Sequence, residues 1–336
     1  MGLVVPLHSC HFVVTGATGW LGRATLDVLQ SQLGAETDSR LMAISRSETA
    51  IALTGGRAIR GRSWEWLDRW TPGGPLVVFH HAFVGKGQAS QWPLAVYRQA
   101  NQNIRQRLER FLHRHQIAGL FVPSSGAAYA YLKPTASPRD PLVIYGQCKY
   151  EDEQTFSELA ARNGWALVMP RVFNLSGPYI NNLRQYALAC IILHCLRRED
   201  VVLTADHPVW RSYYPAANLI RLALKLLAGE STAPPTGGHP GAKTAAAVAE
   251  PRHEVTKYLF DTVGAEVVEI SQLARRCVQL LAGGALTVRR PPLKNRPKDY
   301  YVGAPRVLRA LEQRWGLEPV HLDQQILDTA EYLKTI

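Results

Sequence analysis

A glycine-rich turn between a short apolar strand and an amphipathic helix constrains this chain more than any other feature. The turn reads Thr-Gly-Ala-Thr-Gly-Trp-Leu-Gly over residues 15–22. It follows Phe12-Val13-Val14, which is typical of a buried parallel strand, and it precedes leucines at helical spacing. This is the context of a dinucleotide site, because the helix N-terminus presents free N–H groups and a positive dipole end to phosphates. We predict that Gly16 allows the tight turn, Gly19 admits a pyrophosphate, and Gly22 lets the helix approach the sheet.

The composition is that of a soluble globular protein. With 336 residues, 46% of them apolar, the chain is long enough for one large or two interlocked domains. No apolar run approaches the roughly 20 residues that cross a bilayer, so no membrane association is predicted. The N-terminus lacks the pattern of a secretion signal, and the five cysteines have neither zinc nor disulfide spacing. We expect reduced thiols and a cytoplasmic location.

A formal net charge of +11 raises the question of an anionic partner. The arginines are spread along the chain, and none lies in a DNA- or RNA-binding motif, which argues against nucleic acid. The charge suits phosphorylated small molecules instead. The adjacent His80 and His81 end a predicted strand on opposite faces and have no acidic or cysteine companions, so no metal site is predicted.

Apolar strand patterns alternate with helical patterns through the first half of the chain. Strands are predicted over 41–44, 76–79, 119–122 and 166–169, and helices over 92–115 and 145–163. This alternation predicts an α/β protein with a Rossmann-like doubly wound parallel sheet. After Gly177 helices dominate, at 182–197, 217–227, 270–281, 304–314 and 321–333. Residues 229–251 are rich in Gly, Ala, Pro and Thr, which predicts a mobile loop or insertion.

The end of the second predicted strand, Ser45-Arg46, faces the adenosine ribose in a dinucleotide fold. A carboxylate there would bind the ribose 2′-hydroxyl of NAD, whereas an arginine accommodates the 2′-phosphate of NADP. This strand end carries Arg46 and no acid. Charge complementarity therefore predicts that NADP(H) is preferred, with NAD(H) as the alternative.

A candidate proton-transfer pair follows in Tyr145 and Lys149, which lie four residues apart and so share one face of a predicted helix. A phenol has a solution pKa near ~10, and a nearby ammonium lowers that pKa because it favours the phenolate. Ser125 ends the preceding strand, where its hydroxyl can reach the same carbonyl or alcohol oxygen. Lys149 can also bond the nicotinamide ribose. Together the three residues predict a proton relay beside a hydride carrier.

These motifs together resemble the extended short-chain dehydrogenase/reductase family, in particular its nucleotide-sugar epimerase, dehydratase and reductase branch. The resemblance covers nearly the whole chain. It rests on the glycine turn, on Ser125 with Tyr129, on Tyr145 with Lys149, and on Arg171-Val172-Phe173-Asn174 with Gly177-Pro178. Weaker matches are Arg211-Ser212-Tyr213-Tyr214 and Arg296-Pro297-Lys298-Asp299.

The resemblance implies a role for each matched residue. The implied catalytic residues are Ser125, Tyr145 and Lys149. The implied cofactor-binding residues are Thr15, Gly16, Thr18, Gly19, Trp20, Leu21, Gly22, Ser45, Arg46, His81, Ala82, Asn101, Tyr145 and Lys149. The implied substrate-binding residues are Ser125, Asn174, Arg211 and Arg296. The two arginines would hold the nucleotide diphosphate of a nucleotide sugar, since guanidinium groups form bidentate phosphate contacts.

The resemblance also implies an architecture. Residues 1–178 would form the NADP-binding domain, to which 206–230 returns. Residues 179–205 and 231–336 would form a smaller, interleaved C-terminal α/β domain that binds the substrate. A homodimer is implied as well, in which the helices predicted over 92–115 and 145–163 form a four-helix contact.

Departures from the family pattern narrow the expected activity. Gly126 and Ala127 stand where sugar 4,6-dehydratases carry an acid and a base, which argues against dehydration. We therefore expect NADPH-dependent reduction of a keto-sugar nucleotide, with Tyr145 as the proton donor. One alternative is an epimerase that retains its cofactor, and another is a catalytically silent dinucleotide-binding scaffold. An apolar ketone as substrate is disfavoured by Arg211 and Arg296.

Overall fold

The computed structural model describes residues 6–229 and 256–336 of the chain. Apart from Gly229, the predicted loop at 229–251 lies outside the described residues. The strands are β1 (His11–Thr15), β2 (Leu41–Ile44), β3 (Thr49–Ala52), β4 (Ala58–Arg62), β5 (Leu76–His80), β6 (Ile117–Phe121), β7 (Ser124–Ser125), β8 (Ala166–Val172), β9 (Leu175–Ser176), β10 (Val201–Val202), β11 (Val209–Arg211), β12 (Tyr214–Pro215), β13 (Lys257–Asp261), β14 (Val268–Glu269), β15 (Val288–Arg289) and β16 (Asp299–Tyr301). The helices are α1 (Trp20–Leu33), α2 (Thr37–Arg40), α3 (Trp64–Leu67), α4 (Lys86–Ala89), α5 (Leu94–Leu112), α6 (Ala127–Leu132), α7 (Pro141–Asn163), α8 (Ala187–Leu196), α9 (Ala216–Ala228), α10 (Ile270–Ala282), α11 (Pro305–Arg314) and α12 (Leu322–Leu333).

A large, mostly parallel sheet forms the centre of the molecule. In the described part of the chain its strand order is β13-β8-β6-β5-β1-β2-β4-β3, and β7 pairs beside β8. Each pairing is parallel except that between β3 and β4. The chain leaves β1 toward β2 on one side and returns to β5 on the other, which creates a crevice at the carboxyl ends of these strands. The predicted α/β class with a Rossmann-like sheet is confirmed.

Helices cover both faces of this sheet, because successive residues of a buried strand point to opposite sides. On β1, Phe12 and Val14 pack into one apolar cluster with α1 and α9. Val13 packs into a second cluster with α5 and α7 on the other face. Strands that are apolar on both faces appear as continuous apolar runs, which explains why the sequence pattern locates them well.

The hairpin formed by β3 and β4 is an addition that the sequence pattern does not predict. Each of its strands contributes one buried large apolar side chain, Ile51 and Ile59. Gly55 and Gly56, with φ of +70° and +72°, reverse the chain between the strands. An edge hairpin of this kind lacks the apolar run or strict alternation that marks a strand in a sequence.

The C-terminal half combines helices with short strands. α8, α10 and α12 pack together around Ile192, Leu273 and Ile326. β11, β14 and β16 form a small separate sheet. β13, by contrast, pairs with β8, so residues 257–261 lie in the large sheet although the predicted boundary assigns them to the substrate-binding part. Among the helices described, none combines the length and the apolar character needed to cross a membrane.

Candidate active site

The predicted glycine turn connects β1 to α1 at the crevice where the strand order reverses. Gly16 has a φ of +64°, and a Cβ there would lie 2.5 Å from the backbone nitrogen of Ala82. A Cβ on Gly22 would lie 2.2 Å from the carbonyl oxygen of Gly16. Only glycine fits at these two positions, because real Cβ atoms do not approach backbone atoms so closely. The turn therefore presents bare backbone where β1, α1 and the segment after β5 meet.

The reason for glycine at position 22 differs from the predicted one. Its closest neighbour is the carbonyl of Gly16 in the turn itself, and not the sheet. The turn thus folds back beneath the start of α1. Gly19 precedes that helix with extended backbone angles. The N–H groups of the first helical turn have no intrahelical acceptor and mark the positive end of the helix dipole.

A cleft of about 290 Å³ opens beside the glycine turn. Its walls come from that turn, from the segments that follow β5 and β8, and from α7, which contributes Tyr145 and Lys149. A larger groove of about 880 Å³ between α1, α9 and α12 contains none of the predicted catalytic residues. The structure thus brings the glycine turn and the candidate proton-transfer pair to the same cleft.

The helix that carries Tyr145 and Lys149 begins one turn earlier than its apolar spacing predicts. Asp140 caps α7 by accepting the backbone N–H of Leu142 at 2.8 Å, and Pro141 occupies the first helical position. Tyr145 and Lys149 therefore lie in a fully hydrogen-bonded part of the helix. Their side chains project from a rigid element rather than from a fraying helix end.

Ser125 is held near α7 by close packing of the backbone. It ends β7, and its hydroxyl accepts the N–H of Ala127 at 3.2 Å and lies 3.5 Å from Tyr301 Oη. Gly146 on α7 makes this approach possible, because a Cβ there would lie 2.1 Å from the carbonyl oxygen of Ala127. The Ser125 side chain is buried. Its hydroxyl is therefore shielded from bulk water beside the phenols of Tyr145 and Tyr301.

Burial dominates the electrostatics of the proton-transfer pair. It raises the pKa of Tyr145 above its ordinary value, and the Ser125 hydroxyl opposes this increase. It also lowers the pKa of Lys149 to about 8, against the attraction of Asp152. The pKa of the phenol is thus raised and not lowered as predicted, because desolvation penalises the phenolate. Meanwhile Lys149 Nζ donates to the carbonyl of Pro123 at 2.9 Å.

Two predicted cofactor residues lie behind the cleft rather than in its wall. Thr15 is fully buried, and its hydroxyl pairs with His80 Nδ1 at 2.7 Å. Asn101 is also buried, and its Oδ1 accepts the backbone N–H of Val84 at 2.8 Å. Both side chains hold the segment around the end of β5 in place. They shape the neighbouring wall of the cleft through the backbone.

His81 lines the cleft next to the glycine turn. Its Nε2 lies 2.8 Å from Thr25 Oγ1, whose own proton is donated to the carbonyl of Leu21, so His81 is the donor. Burial lowers the pKa of His81 to about 3, which leaves the ring neutral at physiological pH. Within residues 6–229 and 256–336, no three or more His, Cys, Asp or Glu side chains are grouped to hold a metal ion.

The side chains of the glycine turn differ in their surroundings. Thr18 is exposed, whereas Leu21 is partly buried and lines the cleft. Trp20 is buried, and its Nε1 donates to the carbonyl of Pro178 at 2.9 Å. Its ring meets that of Tyr186 edge-on, with 5.3 Å between centroids. Trp20 therefore ties the turn to the segment after β9.

The predicted adenosine end of the site follows β2. Ser45 is buried and donates its hydroxyl to the carbonyl of Ser47 at 2.5 Å, while Arg46 is exposed. Glu48, which the strand pattern does not single out, pairs with Arg60 of β4 at 2.8 Å. In the sequence, Glu48 can be recognised by its position, two residues after Arg46. Positively and negatively charged side chains therefore both lie at this end of the sheet.

Asn174, a predicted substrate contact, is engaged with the protein backbone. Its side-chain amide donates to the carbonyls of Ser212 and Tyr301, at 3.3 Å each. These bonds connect the segment after β8 to the small sheet that contains β11 and β16. Asn174 thus links the large sheet to the small sheet next to the cleft.

The two predicted diphosphate ligands are both paired with carboxylates. Arg211 contacts Asp299 at 2.6 Å, and Arg296 contacts Asp206 at 3.4 Å. Within the described part of the chain, neither arginine lines the cleft. The Arg211 guanidinium lies 5.9 Å from the ring centroid of Tyr301, which packs against the cleft residue Phe173. A diphosphate would have to compete with these carboxylates for the arginines.

Aromatic side chains around the cleft are a feature that the sequence patterns do not indicate. Phe83, Phe173 and Tyr186 line the cleft. Tyr301 packs against Phe173 with 4.7 Å between ring centroids. The four residues come from segments far apart in the chain, so no local spacing marks them as neighbours. For Phe83 the one available signal is its position shortly after a predicted strand.

Residues 12–236 match the family model described as NAD dependent epimerase/dehydratase. No functionally curated protein matches the chain by sequence. The fold is similar to that of UDP-glucose 4-epimerase from Thermotoga maritima, solved with UDP-glucose, at 18% identity over 97% of this chain and 99% of that chain, with a TM-score of 0.67. It is similar to UDP-N-acetylglucosamine 4-epimerase from Methanobrevibacter ruminantium, at 15% identity, 97% and 99% coverage and a TM-score of 0.69. It is also similar to UDP-glucose 4-epimerase from Thermus thermophilus, solved with NAD, at 16% identity, 96% and 99% coverage and a TM-score of 0.66. At these identities the likeness establishes a shared fold.

Proposed function

Because the chain belongs to the NAD-dependent epimerase/dehydratase family, we propose that it acts at one carbon of a nucleotide-diphosphate sugar. The observation that carries this proposal is that Tyr145 and Lys149 share one cleft with the glycine turn. A dinucleotide site beside a proton-transfer pair suits the interconversion of an alcohol and a carbonyl group. The structural neighbours solved with UDP-glucose and with NAD support these classes of substrate and cofactor.

The residues of the cleft fit a nicotinamide dinucleotide. Gly16 and Gly22 let the turn pack closely against the backbone of Ala82 and against itself beneath the start of α1, and the N-terminus of that helix favours a diphosphate. Lys149 supplies an ammonium that can hold ribose hydroxyls at the nicotinamide end. When bound, the nicotinamide gives or accepts a hydride at the reacting carbon.

Tyr145 is the proposed proton donor in the reduction of a keto-sugar, which is the first candidate function. Its raised pKa keeps the phenol protonated at physiological pH, and this is the state needed to protonate a carbonyl oxygen. Ser125 can hydrogen-bond the same oxygen. Lys149 would stabilise the phenolate that remains after the proton is transferred. Gly126 and Ala127 provide no carboxylate for dehydration.

Epimerisation is the second candidate function, and the family model and the fold of the structural neighbours favour it. An epimerase first oxidises a sugar hydroxyl, so Tyr145 would begin the cycle as a base. The same residue would return the proton after the keto-sugar presents its other face. The two candidate functions therefore differ in whether reduced cofactor is consumed.

The fate of the cofactor separates the two candidate functions. A reductase is expected to consume NADPH when a keto-sugar nucleotide is added, which the near-ultraviolet absorbance of reduced nicotinamide reports. An epimerase is expected to retain nicotinamide through gel filtration and to interconvert two nucleotide sugars with no net change in that absorbance. A protein that binds no NAD(P) and changes no member of a nucleotide-sugar panel would contradict the proposal and favour a silent scaffold.

Arg46 supports a preference for NADP(H) over NAD(H), because it is an exposed guanidinium directly after β2. Replacing Arg46 with alanine is expected to weaken NADPH binding roughly 10- to 100-fold, the range for one hydrogen-bonded charge contact. NADH binding should be unchanged, since it lacks the 2′-phosphate. Fluorescence titration of both cofactors measures the ratio of their affinities, and Arg306→Ala, at an exposed arginine on α11, is the matched control. If Arg46→Ala lowered the affinity for NADPH and for NADH equally, the preference for NADP(H) would be contradicted.

The exposed apolar residues where α5 begins support a homodimer built on α5 and α7. Trp92, Leu94 and Val96 have 41%, 40% and 52% of their surface exposed. Trp92 precedes α5 and the other two lie in its first turn. Exposed apolar side chains in one short stretch suit burial against a second copy of the chain. Light scattering should then give twice the mass of one chain at micromolar concentration, and a monomer would contradict the dimer.

A further inference from the structure

The ring of Phe83 packs against the lysine of the proton-transfer pair, and both residues line the cleft. Phe83 follows β5 and lines the cleft next to the glycine turn. Its ring centroid is 3.7 Å from Lys149 Nζ, which is a close cation–π contact. The ring also meets that of Tyr145 edge-on, with 5.7 Å between centroids and an interplanar angle of 85°. One aromatic ring therefore contacts both members of the pair.

The backbone that carries Phe83 is held on both sides. The preceding residue rests against the glycine turn. On the other side, Val84 donates its N–H to Asn101 Oδ1 at 2.8 Å, and its carbonyl accepts from Tyr97 Oη at 2.9 Å. Asn101 and Tyr97 are both buried. The backbone is therefore fixed, and any displacement of the ring has to come from rotation of its own side chain.

The Lys149 ammonium is enclosed by the protein in two directions. One of its N–H groups donates to the carbonyl of Pro123 at 2.9 Å, and the Phe83 ring covers another side. Because Phe83 and Lys149 both line the cleft, a ligand hydroxyl that approaches the ammonium from the side of the ring meets the ring. The cleft volume of about 290 Å³ lies at the lower limit for drug-sized ligands, roughly 300 Å³, and a dinucleotide is larger than these.

We propose that Phe83 is a gate residue of the cofactor site, whose ring must rotate off the Lys149 ammonium before the nicotinamide-ribose end of a dinucleotide binds. This inference rests on the proposed function, because it takes NAD(P) as the ligand. A closed gate makes the binding-competent form a minor population, and the apparent affinity falls in proportion to that population. Removing the ring therefore strengthens binding and speeds association, while dissociation changes little.

The gate is tested by NADPH and NADH binding, followed through nicotinamide fluorescence with association rates from stopped flow. Phe83→Ala is expected to bind NADPH and NADH roughly 3- to 30-fold more tightly than the wild type. This is the change in affinity that corresponds to the loss of one partly desolvated cation–π contact. The gain should appear in the association rate. Phe83→Leu retains an apolar side chain without an aromatic face, and it is also expected to bind both cofactors more tightly than the wild type. Circular dichroism and melting temperature confirm that each variant is folded.

Lys149→Met supplies the matched control, because it removes the ammonium and keeps a long side chain. In the Lys149→Met background, Phe83→Ala should no longer increase the affinity for NADPH or NADH, which a double-mutant cycle detects. Weaker binding by Phe83→Ala, or an equal gain in the Lys149→Met background, overturns the gate and leaves the proposed function intact, because the wild type still binds. If neither the wild type nor Phe83→Ala binds NADPH or NADH at millimolar concentration, the gate and the proposed function both fail.

Discussion

Replacing Tyr145 with phenylalanine is expected to lower kcat by roughly 10²- to 10⁴-fold, the factor typical of a lost general acid or base. Phenylalanine retains the ring and its edge contact with Phe83. It removes the hydroxyl that exchanges a proton with the substrate oxygen. NAD(P)H affinity should stay close to the wild-type value, since Lys149 and the glycine turn are unchanged. Steady-state kinetics on the nucleotide sugar found in the panel, together with cofactor titration, measures both quantities.

Tyr150→Phe is the matched control for this variant. Tyr150 lies on the same helix, five residues further on, and packs against the ring of Tyr131 with 5.7 Å between centroids. It lines no part of the cleft as the described residues define it. Its loss of a hydroxyl should leave kcat near the wild-type value. Wild-type turnover by Tyr145→Phe would remove the basis of the proposed chemistry.

The second large effect concerns stability and arises from the buried ion pair between Glu153 and Arg171. The carboxylate accepts from Arg171 Nε at 2.8 Å and from Nη2 at 2.6 Å, and Ser124 Oγ donates to it at 2.5 Å. Glu153 is 2% exposed. Glu153→Gln keeps the shape but leaves the arginine without a counterion. It is expected to lower the free energy of unfolding by roughly 3–5 kcal/mol.

Urea denaturation measures this loss, and an exposed ion pair on the same helix provides the control. Glu158→Gln removes a pair with Arg162 at 3.4 Å, four residues away, and should cost at most about 0.5 kcal/mol. A second substitution, Arg171→Met in the Glu153→Gln background, should recover part of the stability because it removes the unpaired buried charge. A loss below about 1 kcal/mol for Glu153→Gln would show that the pair is not a main support of the fold.

The Glu153–Arg171 pair also shows how the site depends on packing between distant segments. It joins α7 to β8 and holds Ser124, which precedes the catalytic candidate Ser125. The guanidinium also lies 4.4 Å from the ring centroid of Tyr129. The sequence motif marks Arg171, but it does not indicate that Glu153 is its partner, because the two lie on different elements.

Much of the fold and the position of the candidate site were predictable from local patterns. The family resemblance and the α/β class are confirmed. The glycine turn occurs where the pattern of strand and helix places it, and the Gly16 φ of +64° is a requirement that one residue satisfies locally. The spacing of Tyr145 and Lys149 likewise places both on one helix face through backbone geometry alone. Predictions of this kind hold because they depend on neighbours within a few residues.

Other features were not predictable, and each depends on contacts between remote segments. β13 joins the large sheet beside β8, although the two strands are far apart in the chain. Its apolar run Tyr258-Leu259-Phe260 indicates a strand but not which sheet that strand joins. The raised pKa of Tyr145 follows from desolvation, which the sequence does not reveal. The pairing of Arg211 with Asp299 occupies a guanidinium that a motif alone would treat as free.

By itself, the sequence determined the main alternation of strands and helices in the first half of the chain, the glycine turn and the helix face that carries the tyrosine and the lysine. These follow from backbone angles and from periodicity, which are local quantities. Only the tertiary structure decided which side chains meet: Phe83 over Lys149, Glu153 with Arg171, and Ser125 between two phenols. The physical reason is that burial and charge pairing depend on distances through space, which are set when the whole chain packs.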